Sequence, residues 1–250
     1  MIRLRATGLA LVGLVAFLIV WEAAPRLDLV NPAFLPPPST IPAALLKEIA
    51  SGAWLVAVIE SLSHYVIGLC VGAGAGMALG IVAGMFRSFE NLTAWVVRLL
   101  RPIPGLAWVP FAIIWFGVEP RAAVFIIAIG VFWIVFFATQ GAVRSVDRDL
   151  IEVAQAFGFR SPLARLAKIV LPAATPGILV GLRTALGQAW MAVVAAEIFG
   201  VPGIGSRMMQ ASSLLSTDIV VVYMLTMAAL YGLFDTAFVA LQGWLLRWRP

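Results

Sequence analysis

The sequence predicts an all-α membrane protein with six transmembrane helices and a cytoplasmic helix–turn–helix between spans four and five. Three observations lead there. Hydrophobic residues fill 62% of the 250 positions, charged ones only 12%, and mean hydropathy is +1.03, well beyond the composition of a water-soluble chain of this size. The apolar residues gather into segments near the roughly 20 residues that a helix needs to cross a bilayer, so six spans use most of the chain. The longest charge-bearing interruption, DLIEVAQAFGFRSPLARLAKIVLP at 149–172, has the punctuation of two short helices joined by a turn.

A single transmembrane domain over 1–250 follows, with spans near 8–24, 61–86, 92–118, 122–140, 177–199 and 219–241. The remainder is too short for a nucleotide-binding module, and there is no GxxxxGK[ST] loop. Any energy from ATP must therefore arrive through a partner. The net charge of +5 is scattered between apolar segments rather than gathered in a run, which speaks for topology signals and against nucleic acid.

The first span, entered past Arg3 and Arg5, imitates a signal peptide but shows no small-residue cleavage site before Trp21 and Glu22, so it reads as uncleaved. Pro36, Pro37 and Pro38 then force an extended course. Thr40 and Pro42 restart a helix to about Gly52, with Lys47 and Glu48 expected on its exposed side. The second span carries glycine at 68, 72, 76, 80 and 84. Each costs about 1 kcal/mol relative to alanine inside a helix, and close approach of a neighbouring helix is the compensation. His64 reads as a hydrogen-bonding group of the structure, and Cys70 as inert packing.

The third span breaks, because Pro102, Pro104 and Pro110 stand beside Gly105. Broken backbone at membrane depth is tolerated where it is buried in protein or lines a wet cavity, which makes this segment a candidate for a translocation path. In the fifth span Arg183, Gln188, Trp190 and Glu197 are the polar candidates, although Arg183 can snorkel and Glu197 can serve as an interfacial hydrogen-bonder. Within 149–172, Asp149 and Glu152 suggest a capping box, Gly158 a left-handed stop, Ser161 and Pro162 a second helix start, and Pro172 its end. Twelve basic residues fall on the side of the termini and of this interruption and four on the other, with Arg183 unassigned, which places both termini in the cytoplasm.

The interruption resembles the coupling-helix motif of ATP-binding-cassette (ABC) importer permeases, through Glu152, Ala154, Gly158, Ile169, Leu171 and Pro172. Val153 stands where an alanine is usual, and the interval from Gly158 to Leu171 is one residue longer than the common spacing. RPIPGLAWVPFAIIWFG is similar to a signature of the nitrate, sulfonate and taurine branch, matched by Arg101, Pro102, Pro104, Ala107, Trp108, Pro110, Ile113, Trp115, Phe116 and Gly117. FLPPPS, and Gly203 with Gly205, match other family features.

The resemblance implies an importer permease fold and assigns ATPase coupling to Glu152, Ala154, Gly158, Arg160, Ile169, Leu171 and Pro172. The broken segment and the polar groups of the fifth span give the candidates for a translocation path: Arg101, Pro104, Trp108, Pro110, Trp115, Arg183, Gln188, Trp190 and Glu197. The resemblance implies alternating access in a bacterial inner membrane, with two permease copies, two cytoplasmic ATPase subunits that hold ATP and magnesium, and an external solute-binding protein. The solute implied is nitrate, taurine, an alkanesulfonate or a related small anion, with a vitamin or pyrimidine precursor as the alternative. This chain itself would hold no cofactor or metal. A single histidine, a single cysteine, no HExxH and no GxSxG leave an enzyme little to work with. A stand-alone secondary transporter would want more intramembrane carboxylates, and a channel no cytoplasmic helix–turn–helix.

Overall fold

The computed structural model describes residues 2–159 and 161–248. The helices in chain order are α1 (Ile2–Arg26), α2 (Ile41–Ala50), α3 (Ala53–Met85), α4 (Arg87–Leu100), α5 (Val109–Phe116), α6 (Pro120–Arg144), α7 (Arg148–Ala156), α8 (Pro162–Arg165), α9 (Leu171–Ile198), α10 (Ile204–Ser213) and α11 (Thr217–Leu245).

Among the described residues four helical stretches are long and apolar enough to cross a membrane: α3, α6, the run Pro162–Ile198 and α11. Helices α4 and α5, bent by 84° at the proline-rich break, make a fifth if taken as one span. Helix α1 covers the expected first span and stands away from the bundle, its side chains from Leu11 to Val20 all exposed. It is tied on only near its end, where Trp21 Nε1 donates to Pro36 O at 3.0 Å and Glu22 accepts from Ser39 N and Oγ.

Helix α6 is the axis of the bundle, clasped by α3 on one side and α9 on the other. At 3.6 residues per turn a four-residue spacing stays near one face, and the glycines of α3 use it. A Cβ added at Gly72 would lie 2.4 Å from Ala128 O, and at Gly76 and Gly80 2.7 Å from Phe132 O and Phe136 O. On the other side Gly177 and Gly181 of α9 meet Ala142 and Ala138 as closely. Where no side chains intervene, backbone packs on backbone, the arrangement that substitutes for a hydrophobic driving force in lipid. Tyr65, Ile127, Val131, Leu186, Trp190 and Val193 fill the space beside the seam.

Several boundaries differ from the sequence expectation. Helix α3 starts at Ala53, eight residues before the expected second span, because nothing between Ala53 and Ser61 breaks a helix. Glu48 is buried at 5% exposure, whereas Lys47 beside it is exposed. The cap of α7 is Asp147, whose carboxylate accepts from Asp149 N at 3.0 Å, so Asp149 and Glu152 form no capping box. Pro172 does not end the second short helix of the interruption. A π turn at Leu166–Val170, with Leu171 N donating to Leu166 O, joins α8 to α9 without a break. A π turn holds one more residue than an α turn, and here it carries the chain into Pro172 without interrupting the helical run.

Candidate functional site

The helix pair α7 and α8 is built locally. Helix α7 ends on Gly158, whose φ of +91° is left-handed, with Gly158 N donating to Gln155 O and Phe159 N to Ala154 O, both at 3.0 Å. Those two bonds satisfy carbonyls that a helix end leaves open and fix the angle at which the chain departs. Ala154 is buried, and Ile151, Leu166, Leu171 and Val170 pack with Ala142 and Val143 at the end of α6 and with Ala174 and Ile178 of α9. Lys168 Nζ sits 5.2 Å from the ring of Phe159.

The opposite side of the pair is apolar and uncovered. Phe157 is 80% exposed and Leu163 76%, with Leu150 and Val153 about half exposed beside them. Glu152 is exposed and without an ion-pair partner among the described residues. Four large apolar side chains on a short solvated unit mark a surface made to be covered. Ile169 and Leu171 are half-buried, Pro172 is exposed, and Arg160 lies outside the described residues.

The nine candidates for a translocation path separate into three groups. Arg101, Pro104, Trp108, Pro110 and Trp115 lie along the broken segment. Gly105 approaches Gly130 of α6 there, and Trp108, Phe111, Trp115, Phe116 and Phe125 form an aromatic cluster. The Trp108 Nε1 is buried without a partner. Arg183 and Gln188 lie on the open face of α9 with Val180, Thr184 and Met191. Trp190 and Glu197 are interior, the former stacked on Tyr65 at 4.5 Å.

Three polar constellations were not apparent from sequence. Glu197, wholly buried, accepts from Ser61 Oγ at 2.8 Å and from Gly205 N at 2.8 Å, with His64 Nδ1 3.1 Å away. Ser61 Oγ in turn accepts from Ile204 N at 2.8 Å. The carboxyl group thus sits under the N-terminus of α10, where the Gly205 N–H points at it. Gly203 beside it has a φ of +145°, a backbone conformation that residues with a side chain rarely adopt. The second constellation lies at the same end of the bundle. Glu48 accepts from Arg207 at 2.9 Å and from Tyr223 Oη at 2.7 Å, joining α2, α10 and α11. Burial opposes its ionisation, but the Tyr223 and Arg207 hydrogen bonds prevail and hold the carboxyl below the usual glutamate range. The third is a bidentate pair within the spans, Arg183 Nε and Nη2 to Asp235, both at 2.8 Å.

A helical bundle with long apolar helices, a glycine-packed axis and an uncovered helix pair is the architecture of a membrane-embedded subunit that docks a partner. The chain belongs to the family described as binding-protein-dependent transport system inner membrane component, whose profile matches residues 76–249. It is 34% identical over 231 residues to the putative aliphatic sulfonates transport permease protein SsuC of Bacillus subtilis (strain 168), covering 92% of this chain and 83% of that one. The taurine transport system permease protein TauC of Escherichia coli (strain K12) is 31% identical over 250 residues, covering 98% and 90%. Among solved structures, an inward-facing MetNI methionine ABC transporter superposes with a TM-score of 0.67 at 19% identity, over 76% of this chain and 94% of that one, which is likeness of fold. The chain is therefore an ABC importer permease of the nitrate, sulfonate and taurine type, a transport subunit and not an enzyme.

Proposed function

We propose that the chain forms half of the pore of an importer for a small oxyanion, an alkanesulfonate, taurine or nitrate, across a bacterial inner membrane. Six spans cross the bilayer, with α1 the first and the bent α4–α5 pair the third, and both termini face the cytoplasm. A second copy, identical in the simplest assembly, covers the open face of α9. An external solute-binding protein delivers the solute on the side of α2 and α10.

Two cytoplasmic ATPase subunits, which hold ATP and magnesium, grip α7 and α8. The observation that carries the reading is the uncovered apolar surface of Leu150, Val153, Phe157 and Leu163 beside a glycine-fixed turn. ATP binding draws the ATPases together and moves both helix pairs. Because α8 runs without a break into α9, that motion reaches the bundle and exposes the pore to one side or the other in turn. No substrate chemistry is required of this chain, since the solute crosses unchanged.

The test is reconstitution of permease, ATPase and binding protein in vesicles. Solute uptake should require ATP and all three components. Uptake by the purified permease alone would overturn the proposal, and calorimetry of the binding protein with taurine, ethanesulfonate and nitrate would identify the solute.

A further inference from the structure

A cavity of about 540 Å³ lies between α4 and α6, within the size range of small-molecule sites. Two guanidinium groups, Arg98 and Arg101, reach its wall, together with Thr93, Val97, Phe137 and Gln140. The one carboxylate there, Glu90, is already engaged. Arg144 pairs with it, and Gln140 Nε2 donates to it at 3.4 Å. Neither Arg98 nor Arg101 has an ion-pair partner among the described residues.

Each guanidinium is instead propped on an aromatic ring, Arg98 over Trp95 at 5.2 Å and Arg101 over Phe137 at 4.4 Å. Stacking uses the face of the group and leaves its in-plane N–H donors free, the edge that matches an oxyanion two bonds at a time. Both guanidinium groups are exposed, so an anion from outside the chain can reach them. Val97 and Phe137 give the rest of such a ligand an apolar surface to lie on.

We infer that this cavity is an oxyanion site, taking a sulfonate, sulfate or phosphate group through Arg98 and Arg101 and an apolar tail along Val97 and Phe137. Two sources share that chemistry: a solute in transit, which rests on the proposed function, and the phosphate of an anionic phospholipid, which does not.

The experiment uses the permease with its ATPase subunits in nanodiscs of phosphatidylcholine alone or with added phosphatidylglycerol, with sodium ethanesulfonate as the soluble probe. The readout is the thermal unfolding midpoint. Either anion should raise it in the wild type and in R247Q, an exposed arginine away from the cavity, and the shift should vanish in R98Q/R101Q. V97E guards against a variant that fails to fold. It places a carboxylate one helical turn before Arg101, supplies the missing counter-ion from within, and should keep or raise the midpoint while abolishing the response. A response to ethanesulfonate alone identifies the solute, and one to phosphatidylglycerol alone the lipid. Competition between them identifies a shared site. A wild type that responds to neither, or an R98Q/R101Q protein that responds to both, overturns the inference. ATPase co-purification is read on the same samples, so failure of docking is distinguished from failure of anion binding.

Discussion

Replacing Gly72 by alanine adds one methyl group at the tightest point of the contact between α3 and α6. The new Cβ would stand 2.4 Å from Ala128 O and 2.8 Å from Ala128 Cα, both backbone atoms that no rotamer change can move. The helices must part by roughly 1 Å to restore ordinary contact, and forcing an extra methyl into packed surroundings costs about 1–3 kcal/mol. Against this, alanine gains about 1 kcal/mol of helix propensity over glycine. Gly74, two positions on, gives the control, since an added Cβ there meets nothing within 4 Å. Gly74→Ala should therefore raise the thermal unfolding midpoint in detergent, measured by circular dichroism, and Gly72→Ala should lower it. If the two variants shift in the same direction by the same amount, the glycine spacing is not what brings the helices together.

Gly158→Pro should insert normally but separate ATP hydrolysis from uptake in reconstituted vesicles, because proline cannot take the φ of +91° found there. Phe157→Asp should reduce co-purification of the ATPase subunits at least tenfold, read from band ratios after affinity capture, while leaving the yield of permease unchanged. Arg183→Gln should lower the unfolding midpoint by leaving Asp235 without its bidentate partner, and adding Asp235→Asn should restore much of the loss; a double-mutant cycle of unfolding midpoints checks it. The carboxyl of Glu48 is held below its ordinary range, so its contribution is present above the unfolded-state value near pH ~4.3 and lost as pH falls through the lower folded value. The stability difference between wild type and Glu48→Gln should stay flat from neutral pH to about pH 5 and shrink below about pH 4.

Features that depend on a few neighbouring residues were legible in the sequence. The glycine period of α3, the break at Pro102 and Pro104 and the stop at Gly158 each follow from the backbone freedom of one residue type. The Asp147 cap was displaced by two residues because Asp147 and Asp149 offer the same chemistry, and only geometry decides which side chain faces the free N–H. Pro172 read as a terminus because its missing donor normally breaks a ladder, and a preceding π turn leaves no local mark. The bonds of Glu48, Arg183 and Glu197 span long separations, 175 residues from Glu48 to Tyr223, 52 from Arg183 to Asp235 and 136 from Glu197 to Ser61. No periodicity reports such pairs. A glutamate eight residues before Gly205 was nonetheless a usable hint, since a glycine pair opening a helix invites a nearby anion.

The unbroken run from Pro162 to Ile198 has 37 residues, a rod of roughly 55 Å, and its closest touch with α6, at Gly177 and Gly181, falls near the middle. Such a contact acts as a fulcrum with two nearly equal arms. A tilt of about 5° carries each tip through some 2 Å in opposite directions, so any displacement of the α8 tip swings the Glu197 tip the other way. That Glu197 tip is knotted to α3 and α10 through Ser61 and Gly205, so any swing must take the whole corner with it.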